Sequence, residues 1–492
     1  MKTPKLFLTA ALIVVTLNSC FISEADSSAE IEGFWISTKE TSNNFGSAEN
    51  AVLLIKNEGA EGLSARCCFI GNNEFKMECR FIDVRYDSIA KRISVIDSDS
   101  DTLILTYDAE SEMLKGGIHS EEITPVNFVR AEKDFTNLFY PRKPERSGQI
   151  TYRYQQPERI ENSLQTDDIF KYVKDSVAVY RFMEWILEQK SGHLESLLII
   201  KDGKLILEEY FFDYSRTKLH RINSCTKSIT SLLLGITLDR HNIINADLAV
   251  YNFFPQYDSL KTPEKQRITL KHVLTMTAGF SDDDNFAGYG PENLIRHILN
   301  SKLEAEPGEH FRYSGKSANL LGGIIYTLEN MQADEFAKEF LFDKLGISEF
   351  NWEKENGVIP CDAGLEMYPR DMAKIGLLVL NNGSWNGEQI VPEEWITEST
   401  KPYVAESDFF DYGYQWWCRS KRNKSWWSDP VRGSKSEHDM FLALGAGGQY
   451  IMVIRDLNMV IVTTSSDYSG DGMDHQKVPL VIEEIIPVFE YD

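Results

Sequence analysis

Residues 224–236 read Ser224-Cys225-Thr226-Lys227-Ser228-Ile229-Thr230-Ser231-Leu232-Leu233-Leu234-Gly235-Ile236. Ile229, Leu232, Leu233 and Ile236 recur at helical spacing and predict a helix with a buried stripe that opens at Ser224. Ser224 and Lys227 lie three residues apart, so their side chains share a face. A serine hydroxyl is a weak nucleophile at neutral pH and needs a base. A lysine can serve where burial or nearby positive charge favours the neutral amine. The helix N-terminus adds partial positive charge and free N–H groups able to hold a developing oxyanion. Ser-x-x-Lys alone is a common spacing, and a serine at a helix start is more often a cap. Its companions in the chain give it weight.

The first companion is Phe311-Arg312-Tyr313-Ser314-Gly315, preceded by the turn Pro307-Gly308 and followed by helical Ala318-Asn319-Leu320-Leu321-Gly322. Tyr313, at the end of a loop, can present its hydroxyl to a cleft and, as phenolate, accept the serine proton. The second is Ala443-Leu444-Gly445-Ala446-Gly447-Gly448-Gln449. Its small residues let a substrate approach the backbone closely. A strand edge here can bind an acyl group and supply the second oxyanion N–H, that of Ala446.

In this order the three elements resemble those of the serine β-lactamase and penicillin-binding-protein superfamily. The nearest branch is that of class C β-lactamases, family VIII carboxylesterases and 6-aminohexanoate-dimer hydrolase. The resemblance runs over about residues 165–490 and includes the stretches 268–279, 364–376 and 412–417. It implies an α+β fold, an antiparallel sheet flanked by helices with an inserted helical subdomain. It also implies Ser224 as nucleophile, Lys227 as its activator, Tyr313 as general base, and the N–H groups of Ser224 and Ala446 as oxyanion hole. No cofactor is implied.

Two departures narrow the expected substrate. The family's Tyr-x-Asn element ends here in Gly315, without the amide that contacts substrate. The Lys-Thr-Gly element reads Ala443-Leu444-Gly445, without the lysine that pairs with a substrate carboxylate. The expected substrate is therefore a small ester or amide lacking that carboxylate, bound along Gly315, Ala443, Leu444 and Gly445, with Trp416 and Trp417 as cleft wall. Lys435 and His438 read as solvated loop residues rather than replacements for the lost lysine. Two other readings stay open: a β-lactamase or D-amino-acid peptidase of the cell wall, and a non-catalytic binding protein on a hydrolase fold.

Outward from these motifs, two hairpins bracket the helical region. Apolar runs flank Lys201-Asp202-Gly203-Lys204 and again Arg455-Asp456-Leu457-Asn458. They predict one sheet built from both ends of a domain at 166–490, with a covering helix at about 475–487. Ile169, Val173, Val177, Tyr180, Met183, Ile186 and Leu187 predict a helix within 166–190. Residues 134–165 read as a linker lying on that domain. Residues 31–133 are serial short β runs between turns, a small all-β domain of lipocalin-like barrel or sandwich type that opens on Gly33-Phe34-Trp35 and closes near Arg130.

Residues 1–19 carry Lys2, Lys5 and an apolar core too short for a membrane span, a signal peptide. Leu17-Asn18-Ser19-Cys20 resembles a lipobox, which makes Cys20 the lipidated residue and 20–30 a tether. The expected location is the cell envelope, with a lipid anchor as the only membrane contact. The other cysteines (Cys67, Cys68, Cys79, Cys225, Cys361, Cys418) follow no metal-ligand spacing, so no metal is expected, and Cys67 or Cys68 can pair with Cys79 across a hairpin. A formal net charge of −24 disfavours nucleic acid as a partner. Oligomeric state leaves no trace in the sequence.

Overall fold

The computed structural model describes residues 31–490 except 39–47, 58–62, 72–78, 88–89, 97–101, 120–122, 135, 143–149, 162, 190–192, 244, 282–289, 408–409, 421–437 and 467–476. The expected signal peptide, Cys20 and the expected tether lie outside the described residues, as does Lys435. Among the described residues no helix is long and apolar enough to cross a membrane.

Eight strands occupy the N-terminal part: β1 (Gly33–Ser37), β2 (Ala48–Asn57), β3 (Leu63–Gly71), β4 (Cys79–Asp87), β5 (Arg92–Ile96), β6 (Thr102–Asp108), β7 (Met113–His119) and β8 (Ile123–Arg130). Each pairs with the next and β8 returns to β1, closing a barrel rather than a sandwich. Alternate residues point inward, and Trp35, Leu53, Ile55, Leu105, Leu114, Val126 and Phe128 fill the interior. The Arg130 guanidinium lies 4.5 Å over the Trp35 ring, and its Nη1 donates to the Glu32 carbonyl at 2.7 Å. One cation–π contact thus joins the two ends of the barrel. Cys68 and Cys79 are register partners on adjacent strands, while Cys67 is buried in the barrel core.

The second sheet gathers β9 (Ser196–Lys201), β10 (Lys204–Tyr210), β16 (Val404–Ala405), β17 (Asp411–Tyr412), β18 (Trp417–Arg419), β19 (Met440–Gly445), β20 (Gln449–Ile454) and β21 (Met459–Thr464). Its order is β10-β9-β21-β20-β19-β18-β17-β16, all antiparallel, so the first hairpin docks against the last. Between them lie a three-stranded sheet of β11 (His220–Arg221), β12 (Phe350–Trp352) and β13 (Leu365–Met367), and a hairpin of β14 (Ser384–Trp385) and β15 (Glu388–Gln389).

Both faces of the large sheet are buried, which explains its unbroken apolar runs. Leu198, Ile200, Ala443, Val460 and Val462 face one core with helices α2 (Cys225–Arg240), α3 (Gly315–Glu329) and α4 (Pro369–Leu380). Leu197, Ile199, Leu442, Leu444 and Ile461 face a second core with α1 (Ser176–Leu187) and the helical segment 477–489. Helix α1 starts later than its apolar spacing suggested. Asp175 caps it, residues 169–171 form a separate 3₁₀ turn, and Val177 is exposed in its first turn.

The segment read as a linker protects the sheet edge that β10 would otherwise present. Tyr154 Oη donates to the Ile206 carbonyl at 3.1 Å, and Tyr152 Oη to Glu209 Oε1 at 2.7 Å. Leu205 N donates to the Gln165 carbonyl at 2.8 Å. Arg370, at the start of α4, forks onto Glu208 of β10, with Nε donating to Oε1 at 2.6 Å, and its Nη2 reaches the Glu158 carbonyl of the linker at 2.8 Å. Both partners of this ion pair are nearly inaccessible. Breaking a buried pair from one side leaves an uncompensated charge, so Arg370→Met should destabilise the C-terminal part by about 3–5 kcal/mol, read by denaturant unfolding. A loss below about 1 kcal/mol, the level of a surface pair, would show that this contact does not hold the edge.

Candidate active site

Helix α2 runs through the core and is buried on nearly every side, not along one stripe alone. Three of its polar residues near the N-terminal end bond to backbone carbonyls, while Ser231 Oγ and Thr237 Oγ1 further along have no partner among the described residues. Thr226 Oγ1 donates to the Asn223 carbonyl at 2.6 Å, Ser228 Oγ to the Gln415 carbonyl at 2.6 Å, and Thr230 Oγ1 to the Cys361 carbonyl at 2.9 Å. Ser224 precedes the helix and makes no capping bond with its side chain. Its Oγ instead accepts from Lys227 Nζ at 3.1 Å.

Lys227 is 4% exposed. Its Nζ also donates to the Asp362 carbonyl at 2.8 Å and lies 4.9 Å from the Tyr313 ring centroid. Asp362 is itself held by α3. Asn319 Nδ2 donates to Asp362 Oδ1 at 2.9 Å, while Asn319 Oδ1 accepts from Cys361 N at 2.9 Å. A buried asparagine thus fixes the segment whose carbonyl fixes the lysine. Sequence patterning placed Asn319 on the helix after Tyr313 but had no means to pair it with Asp362, which is 43 residues away.

Tyr313 stands just before α3, where Ser314 caps the helix by accepting from Lys316 N at 3.1 Å. Its ring packs at 5.5 Å against Trp417 and at 6.2 Å edge-on to Tyr412. Burial, and then the neighbouring Tyr313, push the Tyr412 phenol well above its usual pKa, so Tyr412 is a neutral wall. Gly315 is buried in the first turn of α3, and its carbonyl accepts from Asn319 Nδ2 at 3.0 Å.

The glycine-rich turn closes the site from the opposite side. Asn223, in a left-handed conformation with φ +47°, donates from Nδ2 to the Ala446 carbonyl at 2.7 Å. Ala443 and Leu444 bury their side chains in opposite cores, which leaves only their backbone for a ligand. Strand β18 pairs with β19 only as far as Leu442, opposite Trp417. Beyond it, among the described residues, the Ala443–Gly445 edge has no strand partner on that side. Gly445 lies tight against the segment that leads into Ser224, and a Cβ there would sit 2.3 Å from the Ile222 carbonyl oxygen. Cys225 is a buried thiol that donates to the Gln449 carbonyl at 3.3 Å, and burial pushes its pKa up, so it stays neutral beside Ser224.

A family model described as Beta-lactamase matches residues 192–483, more than half of the chain. The chain belongs to the Beta-lactamase family. Among curated proteins, this family member is 26% identical to Protein flp of Staphylococcus aureus over 183 residues, 34% of this chain and 36% of that protein. It thus spans about a third of the length of that relative. Among solved structures it is similar in fold to a putative beta-lactamase from Bacteroides dorei, with TM-score 0.53, 15% identity, and coverage of 64% of this chain and 99% of that one. It is likewise similar to EstCE1, a hydrolase with promiscuous acyltransferase activity, with TM-score 0.52, 13% identity, and coverage of 63% and 98%.

One expected position differs in this Beta-lactamase family member. Trp416 is not cleft wall. It is wholly buried in the helix-side core against Phe441, because adjacent strand residues point to opposite faces and Trp417 takes the Tyr313 side. His438 sits before the far end of β19, with Nδ1 2.6 Å from Asp456 and Nε2 2.7 Å from Glu490. It is thus remote from Ala443–Gly445, and those carboxylates raise its pKa against the opposing effect of burial. The close approach at Gly445 generates a test. Gly445→Ala must displace the turn from Ile222, and kcat should fall on the order of 100-fold, as for a misplacement of about 1 Å. Unchanged kcat would mean the turn does not shape the site.

Proposed function

We propose that this Beta-lactamase family member is a serine hydrolase that acts through a Ser224 acyl-enzyme on a small carboxylic ester or amide that lacks the carboxylate recognised by β-lactamases. The observation that carries the reading is the 3.1 Å contact from Lys227 Nζ to a Ser224 Oγ left free of capping duty at the start of α2. Ser224 Oγ attacks the substrate carbonyl carbon, and its proton passes to Tyr313. Tyr313 takes it up as a phenolate, whose charge the adjacent Lys227 ammonium offsets beforehand, and becomes a neutral phenol. The carbonyl oxygen takes up negative charge facing the N–H groups of Ser224 and Ala446. The bond to the alcohol or amine then breaks as the leaving group receives the proton. Water adds to the acyl-enzyme by the same steps in reverse order, which frees the acid and restores Ser224.

The substrate class follows from what surrounds the turn. Ala443 and Leu444 stand where a lysine would meet a carboxylate, and both side chains are buried in apolar cores. The wall formed by Tyr313, Tyr412 and Trp417 is aromatic. That favours an uncharged acyl group.

A fluorophosphonate probe should label the wild type and leave Ser224→Ala unlabelled. Lys227→Ala should lower kcat on p-nitrophenyl esters on the order of 100- to 10,000-fold. Equal labelling of wild type and Ser224→Ala would sink the reading. Turnover of nitrocefin or D-Ala-D-Ala well above that of esters and small amides would reassign the substrate. We further propose export and lipid anchoring through Cys20. Radiolabelled palmitate should enter the wild type in a bacterial host and be absent from Cys20→Ala. Incorporation into both would remove the anchor.

A further inference from the structure

We infer that Asn223 is a positioning residue for the oxyanion hole, setting the distance between its two halves. The inference rests on the assignment of Ser224 and Ala446 as oxyanion donors. Those two N–H groups come from chain segments more than two hundred residues apart, one at the start of α2 and one in the turn between β19 and β20. Asn223 immediately precedes Ser224, and its Nδ2 donates to the carbonyl of Ala446 at 2.7 Å. One hydrogen bond therefore joins the residue before the first donor to the residue that carries the second.

The surroundings leave that bond little slack. Asn223 holds φ +47°, a conformation in which asparagine is tolerated better than most residues. Its own carbonyl is held by Thr226, from N at 3.0 Å and from Oγ1 at 2.6 Å. On the other side, Gly447 and Gly448 both have positive φ, so the turn has backbone freedom that must be removed from outside. Three bonds remove it. Asn223 takes the Ala446 carbonyl, Thr463 Oγ1 takes that of Gly448 at 3.0 Å, and Cys225 Sγ takes that of Gln449 at 3.3 Å. Gln449 Nε2, from the strand that follows the turn, also reaches the Ala446 carbonyl, at 3.4 Å, but the shorter bond and the tie to the Ser224 segment come from Asn223. Donors stabilise a developing oxyanion in proportion to how well they are placed beforehand, because no reorganisation is then needed during the reaction.

Asn223→Gly keeps the left-handed backbone and deletes the amide. Asn223→Asp keeps the shape and puts a carboxylate oxygen against the Ala446 carbonyl. In both, kcat on a p-nitrophenyl ester should fall on the order of 10- to 100-fold, less than the ~100- to 1000-fold expected from deleting a donor outright, with KM little changed. Affinity for an arylboronic acid, whose tetrahedral adduct on Ser224 places an oxygen in the same hole, should weaken by a similar factor. A purely structural role would not produce that parallel. Wild-type kcat in both variants overturns the inference, and so does a fall in kcat without matching loss of boronate affinity. Fluorophosphonate labelling of wild type against Ser224→Ala separates the two levels. Labelling lost only in Ser224→Ala, with unaffected Asn223 variants, defeats the role of Asn223 alone, whereas labelling that ignores Ser224→Ala defeats the nucleophile assignment on which it rests.

Discussion

A lysine that is 4% exposed must satisfy its amine inside the protein, and the way Lys227 does so organises everything around it. Its Nζ divides its bonds between Ser224 Oγ and the Asp362 carbonyl, with the Tyr313 ring on a third side. Each of those partners belongs to a different segment. Ser224 opens α2, Asp362 precedes β13, and Tyr313 leads into α3. Satisfying one buried amine therefore requires three segments to meet at one point. The same meeting creates the site.

The large sheet is the frame that makes the meeting reproducible. Its first hairpin and its last are adjacent, β9 against β21, so the helical region between them is closed at its base. Strand β19 ends at Gly445, pressed against Ile222 just ahead of Ser224. The turn after β19 is thereby tied to the loop before α2, and Asn223 completes the tie. Stability and reactivity share these contacts. The buried fork of Arg370 on Glu208 holds the far edge of the same sheet together with the linker.

Much of this was legible in the chain because the signals were local. The two hairpins were marked by apolar runs around Asp202-Gly203 and Arg455–Asn458, and they form as β9–β10 and β20–β21. Ser224 and Lys227 share a face because three residues make nearly one turn. Other features were not legible, for physical reasons. Val177 fits the apolar spacing of α1 yet is exposed, since spacing does not say where a helix begins relative to the core. Trp416 and Trp417 look equivalent as a pair, but strand alternation sends one into the core and the other to Tyr313. The N-terminal strands carry the same alternation in a barrel or a sandwich. Closure depends on β8 returning to β1, which is a long-range pairing.

By itself the sequence determined the kinds of element, the order of the three motifs, and the chemistry of the residues within each. It determined as well that Ala443 and Gly315 stand where a lysine and an amide are missing. Tertiary structure alone decided which backbone groups meet Lys227 and Asn223: the carbonyl of Asp362, a residue whose side chain Asn319 holds, and the carbonyl of Ala446. The reason is that a buried polar group takes whatever partner the fold brings within about 3 Å, and that partner can lie anywhere along the chain. Spacing encodes neighbours along a helix or strand. It carries no record of a hydrogen bond between residues 223 and 446.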